Sequence, residues 1–263
     1  MRGCKTMVDT QKVIALVQEA ASLFADRKAA GHITVKGDCD FVTAVDQAVE
    51  GFLREKLTAL YPEIQFLSEE QDNSRVDMQG LSWVLDPVDG TTNLMYDYHC
   101  SAISLALLDG GEPVLGIIYD PYARELYLAE KGKGSFCNGE PIQVSAQTDL
   151  QKSLIAIGTA PYHKADYPKE FDRFRRIFEN CLDIRRSGSA ALDLAHVACG
   201  RLEGYVERRL KIWDYAAGTL LVREAGGVVT DYEGRDRTMT LMGDTAAGSP
   251  AVVAALVEGY LKD

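Results

Sequence analysis

The sequence predicts an α/β protein of layered, α+β sandwich type, in which layers of helices alternate with mixed and antiparallel sheets. Three observations lead there. Apolar residues recur at helical spacing in two segments of the first sixty or so residues. The stretch from 101 to 144 has β texture. Beyond it, strand and helix patterns alternate to the C-terminus.

The elements follow in order. Ile14, Val17, Ala21 and Phe24 recur at spacings of three and four, which predicts a helix over 8–30. Val45, Val49, Phe52, Leu53, Leu57 and Leu60 predict a second over 44–61. Between them GHITVKGDCDFVTAVD, rich in Gly and Asp, reads as a loop or hairpin. Short strands are expected at 64–68, just before Glu69-Glu70, and at 82–86. The 101–144 region reads as an antiparallel meander with strands near 101–108, 114–119 and 125–129, turning at Asp109-Gly110-Gly111 and Lys131-Gly132-Lys133-Gly134. The polar run QVSAQTDLQKS (143–153) suits a boundary. It divides the chain into an N-terminal α+β part (1–145) and a C-terminal α/β part (146–263). The second part should hold strands at 154–158, 183–186, 204–208 and 227–230, and helices at 168–180, 189–199, 215–225 and 250–261.

Composition excludes several function classes. The chain has 263 residues, 46% hydrophobic and 25% charged, which suits a globular protein with a proper core, and carries a net charge of −11. Nucleic-acid binding draws on clustered Lys and Arg, so a strongly acidic chain argues against a nucleic-acid partner. Acidity suits a protein that gathers cations, although it also serves plain solubility. The six cysteines form no C-x-x-C pair, and the N-terminus has no apolar core of a signal peptide. No apolar run is long enough to cross a membrane. Reduced thiols and a cytoplasmic location are the expectation.

The chemistry concentrates in WVLDPVDGTTNLMYDYHC, residues 83–100. Pro87 pushes Asp86 into extended geometry. Gly90 permits close approach of backbone to a ligand. Thr91-Thr92-Asn93 can open a short helix whose free N–H groups suit an anion. Carboxylates on one side and amide donors on the other fit a metal-bridged phosphate. D-P-x-D-G is also ordinary turn chemistry. Glu69-Glu70 alone would be solvated acids, Asp214 alone a helix N-cap, and Asp46 alone a surface acid.

Together, S-E-E (68–70), W-V-L-D-P-V-D-G-T-T-N (83–93) and W-D-Y-A-A-G (213–218) resemble the inositol monophosphatase family of metal-dependent sugar phosphatases. V-T-A-V-D (42–46), R-R-S-G-S-A-A (185–191) and E-A-G-G (224–227) extend the likeness over nearly the whole chain. The resemblance implies the following roles. Glu69, Asp86 and the carbonyl of Val88 hold one Mg²⁺. Asp86, Asp89 and Asp214 hold a second, and a third, weaker ion sits near Glu69 through waters. The phosphate rests on the amides of Gly90 and Thr91. Asp46 and Thr91 orient the attacking water, with Glu69 also counted as catalytic. Gly188, Ser189, Ala190 and Glu207 line the sugar side, near Asp89 and Asp214. The resemblance further implies a homodimer, inhibition by Li⁺, and a site between the two halves.

Elementary chemistry agrees with that assignment. Converging carboxylates without cations repel and raise one another's pKa values. Hard oxygen ligands without His or Cys select Mg²⁺, with Mn²⁺ as a substitute, over Zn²⁺. Phosphate monoester hydrolysis needs up to ~10²¹-fold acceleration, much of which divalent ions supply. No Cys or Ser nucleophile stands beside a His in sequence, so direct attack by water is expected, without a phosphoenzyme. The leading substrate is an inositol monophosphate or similar small phosphate ester. Fructose 1,6-bisphosphate and 3′-phosphoadenosine 5′-phosphate are the alternatives, since Arg185, Arg186, Arg208 and Arg209 offer material for a second phosphate pocket. A non-enzymatic binding protein on the same fold is the remaining alternative. Leu94 and Met95 to His99 depart from the family pattern after T-T-N. Lys36 resembles a mobile family loop that helps close over the third ion, and His99 reads as a structural histidine.

Overall fold

The computed structural model describes residues 8–37 and 40–262, without the side chains of Lys36, Asp40, Lys164 and Asp166. The Lys36 side chain, Cys4 and Cys39 therefore lie outside the described residues.

The chain opens with α1 (Thr10–Ala21), a 3-10 turn (Ser22–Ala25) and α2 (Arg27–Gly31). The single helix expected over 8–30 is split at Asp26. Its carboxylate accepts from the amides of Lys28 and Ala29, starting a new helix in place of continuing the old one. An antiparallel hairpin follows, β1 (Ile33–Gly37) and β2 (Asp40–Thr43). Thr43 then caps α3 (Ala44–Leu60).

β3 (Gln65–Ser68) lies parallel to β4 (Ser82–Asp89). After the short α4 (Thr91–Met95) comes the meander: β5 (Ala102–Asp109), β6 (Glu112–Asp120), β7 (Glu125–Glu130), β8 (Gly134–Cys137) and β9 (Glu140–Ile142). These seven strands, β3 to β9, form one sheet in chain order. The second half supplies β10 (Leu154–Ile157), α5 (Tyr167–Phe178), β11 (Asp183–Arg185), α6 (Ala190–Ala198), β12 (Gly204–Lys211), α7 (Ile212–Glu224), β13 (Val228–Thr230), β14 (Met242–Gly248) and α8 (Pro250–Leu256). Its five strands run in the order β11-β10-β12-β14-β13.

The pleat sorts the side chains into layers. Trp83 and Leu85 of β4, with Ile103 and Leu105 of β5, pack under α1 and α3. Their alternates, Val84 and Ala106, face the other way, against Leu194 of α6 and Leu220 and Leu221 of α7. The same cluster takes in Ala156, Tyr205 and Ala247 of the second sheet. The outer face of that sheet, through Ile155, Val206 and Ala246, is covered by Phe174 and Ile177 of α5 and Val252 and Leu256 of α8. The order is therefore helices, seven-stranded sheet, helices, five-stranded sheet, helices, as the sequence predicts.

α3 shows how the layers position polar groups. Val45, Val49, Leu53 and Leu57 are fully buried, each worth about 1.5–3 kcal/mol of transfer free energy. Asp46 and Glu50 are buried on the same helix. The apolar stripe can carry two such acids only because both are hydrogen-bonded.

Candidate active site

β4 decides how the two aspartates point. Residues three apart on a regular strand face opposite sides. Here Asp86 pairs with Ser104 and Asp89 with Ala102, so three steps on β4 match two on β5. This bulge turns both carboxylates toward the α6/α7 layer. Pro87 lies inside the irregularity, where a missing N–H costs no ladder bond. The amide of Val88 donates to Asp86 Oδ1 at 3.0 Å.

Gly90 follows with φ of 92° and caps α4. A Cβ there would stand 2.9 Å from the carbonyl oxygen of Cys100 in addition to the strained dihedral, so only glycine fits. Asn93, on the first turn of α4, donates to the carbonyls of Cys100 (2.6 Å) and Ser187 (3.0 Å). That amide joins the phosphate-loop candidate to the segment carrying Gly188.

The N-termini of α6 and α7 complete the cluster. Ser189 caps α6, and its hydroxyl donates a short bond to Asp89 Oδ2. The Ala191 amide donates to the same oxygen at 2.8 Å, and the Ala190 amide also bonds Asp89. Asp214 sits in the first turn of α7, where its Oδ2 accepts from the Lys211 amide at 2.7 Å. Asp86, Asp89 and Asp214 each bring an oxygen within 4.8 Å of the others. Among the described residues no other group of His, Cys, Asp and Glu does so.

The electrostatics follow from that spacing. Two like charges this close repel by on the order of 3 kcal/mol at an effective dielectric of about 20. Asp86 is driven well above the ordinary carboxylate range, first by burial, then by Glu69, Asp89 and Asp214. Asp214 is raised for the same reasons, with Asp89 its largest charged neighbour. Asp89 is raised to about 6, burial outweighing the bonds from Ser189 and Ala191. Bonds worth about 1–3 kcal/mol each do not cancel two such repulsions. A hard divalent cation does, and three convergent carboxylates fit one.

Asp46 is fully buried at the third position of α3. Its Oδ2 accepts from the Thr43 amide (2.9 Å) and hydroxyl (2.5 Å). Its Oδ1 accepts from the Thr91 hydroxyl at 2.9 Å. The same hydroxyl lies 3.0 Å from the carbonyl of Val88. Burial raises the pKa of Asp46, while the bonds from Thr43 and Thr91 hold it down. Glu69 follows the end of β3, half-buried, its amide donating to the Leu85 carbonyl at 3.3 Å. It stands outside the tight triad but its charge acts on both Asp86 and Asp214.

On the sugar side, the Glu207 carboxylate accepts from the Ala160 amide (3.0 Å) and the Tyr205 hydroxyl (2.5 Å). It occupies the space a Cβ at Gly158 would need, 1.8 Å from that point. Burial raises its pKa and Arg186 lowers it. Gly188 (φ +88°) lies beside Asn93 and Arg186. Thr92, Asn93, Tyr96, Tyr98, Arg186 and Ser187 line an adjoining open cleft of about 320 Å³.

The four arginines weighed for a second phosphate do not share one pocket. Arg185 pairs with Asp183. Arg208 is held by Glu170 (3.1 Å) and Asp244 (3.0 Å) in a separate cleft, and the Arg209 amide donates to Asp244. Arg186 alone acts on Glu207. His99 pairs with Asp97 and stacks on Tyr122. Leu94 is fully buried in the α1/α3 core, so the departure from the family pattern there is a packing change.

Several participants were not legible in the sequence. Glu50 gave a faint signal, an acid one helical turn beyond Asp46 on an apolar stripe. Asp193 is buried behind Ser187, which donates to it at 2.8 Å; burial raises its pKa to about 8. Asn73, which accepts from the Ser68 amide and donates to the Ser68 carbonyl, lies in a stretch without periodicity.

The sequence and the fold have counterparts among known proteins. A sequence profile of the inositol monophosphatase family matches residues 5–261. The chain is 40% identical over 223 residues to Nus factor SuhB of Escherichia coli K12, covering 84% of this chain and 83% of that one. It is 38% identical over 227 residues to the inositol-1-monophosphatase of Rhizobium meliloti, covering 86% and 85%. The crystal structure of extragenic suppressor protein suhB from Bartonella henselae superposes with a TM-score of 0.88 at 34% identity, covering 95% of this chain and 98% of that one. With its layered fold, the motifs in order and a family match over nearly all its length, the chain belongs to the inositol monophosphatase family.

Proposed function

We propose that this protein hydrolyses inositol monophosphate, or a closely similar small phosphate monoester, to the free alcohol and phosphate with Mg²⁺ bound. The observation that carries this is the convergence of Asp86, Asp89 and Asp214 within 4.8 Å of one another, beside the hydrogen-bonded pair Asp46–Thr91. Mg²⁺, when bound, lowers the pKa of water and neutralises charge on the phosphate.

The chain's own groups do the rest. Asp86, Asp89, Asp214, Glu69 and the Val88 carbonyl supply the metal oxygens. The Thr91 hydroxyl has one proton and two acceptors, Asp46 Oδ1 and the Val88 carbonyl. Donating to Asp46 leaves the Val88 carbonyl available to a cation and turns the hydroxyl lone pairs outward to orient water. Asp46, raised by burial, takes up the proton that the water passes through Thr91 Oγ. The amides of Gly90 and Thr91 hold the phosphate. The water oxygen bonds phosphorus as the bond from phosphorus to the ester oxygen breaks. That oxygen takes a proton from solvent to leave as the alcohol, and Asp46 returns its proton to solvent. Gly188, Ser189, Ala190 and Glu207 face the alcohol, and Glu207, accepting only through its oxygens when ionised, suits a sugar hydroxyl. Li⁺ inhibition, a homodimer and a cytoplasmic location belong to the same proposal, supported by family membership.

The relative in E. coli is named a Nus factor, which favours a second reading, a binding role on the same fold. Phosphate release with Mg²⁺ separates the two. Myo-inositol 1-phosphate, fructose 1,6-bisphosphate and 3′-phosphoadenosine 5′-phosphate are compared, with Asp86→Asn as control. Release fastest from the inositol ester, and lost in the control, is expected. Preference for a bisphosphate would move the substrate and keep the chemistry. No release from any of them by folded protein would leave the binding role.

A further inference from the structure

The segment that carries Glu69 is not held by its own sheet alone. β3 ends at Ser68, and the chain then turns through Glu69, Glu70 and Gln71. One buried carboxylate spans that turn. Glu50 Oε2 accepts from the Ser68 hydroxyl at 2.6 Å and from the Glu70 amide at 3.3 Å. Glu50 Oε1 accepts from the Gln71 side-chain amide at 2.8 Å. The residues on both sides of Glu69 are therefore tied to one side chain, which is 5% exposed.

Glu50 sits on α3 one turn after Asp46, whose own carboxylate is tied to Thr91. Both acids lie on the buried stripe fixed by Val45, Val49, Leu53 and Leu57. The helix thus sets two parts of the site at once. Asp46 fixes the hydroxyl that faces water, and Glu50 fixes the turn that aims Glu69. A buried carboxylate is costly unless all its oxygens are used, and among the described residues the donors come from the Glu69 turn, with Arg54 beside them at 3.9 Å.

We propose that Glu50 is a positioning residue for the metal site: it holds the Ser68–Gln71 turn so that the Glu69 carboxylate points at the ion shared with Asp86. The inference rests on the metal-dependent function proposed above. Partners of this kind, one bond removed from a ligand, typically change metal affinity by roughly 10–100-fold when removed.

Isothermal titration of Mg²⁺ into the substrate-free protein tests it, with thermal midpoints measured alongside. Glu50→Ala should weaken Mg²⁺ by about 10-fold or more. Glu50→Gln should stay within about threefold of wild type, because its carbonyl still accepts from Ser68 and Glu70 while the Gln71 amide turns over to meet its NH₂. Ser68→Ala, which leaves the helix untouched, should fall between them and serves if Glu50→Ala does not fold. At saturating Mg²⁺ the substrate KM should be unchanged in all three. A lowered midpoint with wild-type Mg²⁺ affinity in Glu50→Ala, or in Ser68→Ala where the first does not fold, would reduce Glu50 to a structural residue and overturn the proposal. Equal losses in Glu50→Gln and Glu50→Ala would assign the effect to charge and overturn it too. Wild-type protein that takes up no Mg²⁺ would remove the proposed function itself, a distinct outcome.

Discussion

Asp86 carries the most repulsion in the cluster, from Glu69, Asp89 and Asp214 together. Asp86→Asn removes one charge without changing shape. Phosphate release and Mg²⁺ uptake should both disappear, while the metal-free protein melts higher than wild type. A lower metal-free midpoint by scanning calorimetry would contradict that balance of charges. Thr91 is tested separately. Thr91→Val keeps the volume and loses the hydroxyl between Asp46 and Val88, so kcat should fall roughly 10²–10⁴-fold with little change in Mg²⁺ affinity. Asp193 gives a pH signature. Its folded pKa of about 8 lies above the ordinary carboxylate value, so the fold favours its protonated form. The stability this lends is complete below about pH 4 and is lost as pH rises through about 8. Asp193→Asn should flatten that decline between pH 6 and 8 in EDTA. An unchanged slope would mean that other acids set it. Residues such as Asp86, Asp89, Gly90 and Thr91 were legible because their chemistry is adjacent in sequence. Glu50 and Asp193 were not, because nothing local tells a buried helical acid from a solvated one.

At the scale of elements, the β4 bulge is the most sensitive feature. Deleting Val88 would restore a regular pleat and send Asp89 toward the α1/α3 core. Such a variant should lose Mg²⁺ binding entirely, and retained binding by titration calorimetry would show that the bulge is not what aligns the two acids. Gly90→Ala adds a strained dihedral to a 2.9 Å contact with the Cys100 carbonyl. A loss of about 1–3 kcal/mol in denaturant unfolding is expected. Strand and helix periodicities predicted most elements here, including α3 and the meander. β14 was missed although it is a central strand of the second sheet. Its sequence, MGDTAAG, has a single β-branched residue, Thr245, and no apolar alternation; it is crowded by β12, β13 and α6, and small residues are what fit. α7 begins at Ile212, before the expected 215, because Asp214 accepts from the Lys211 amide and lets the helix start earlier. The bulge itself leaves no local mark beyond Pro87.

Across the whole molecule, the acid cluster lies where four separate elements meet: the end of β4, the turn after β3, and the starts of α6 and α7. Without a cation those ends repel. The metal-free protein should therefore lose thermal stability from about pH 4 to pH 6, the range over which folded Asp89, raised to about 6, keeps a proton that the unfolded chain has given up. Asp86 and Asp214, also raised, act in the same direction. Mg²⁺ should offset this most at the higher pH. At about 100 times its dissociation constant a bound ion stabilises by about 2.7 kcal/mol. A midpoint that Mg²⁺ raises equally at both pH values would argue against ion binding as the relief of that repulsion.

The shared seam has a kinetic consequence as well. The amides of Ala191 and Lys211 donate to the same carboxylates that converge on one another. Whatever loosens the acids also unlatches the first turns of two helices that otherwise run through the buried layer between the two large sheets. Slow deuterium uptake at those two amides should therefore report occupancy of the cluster residue by residue, while the interior of α7, sealed by Leu220 and Leu221, stays silent.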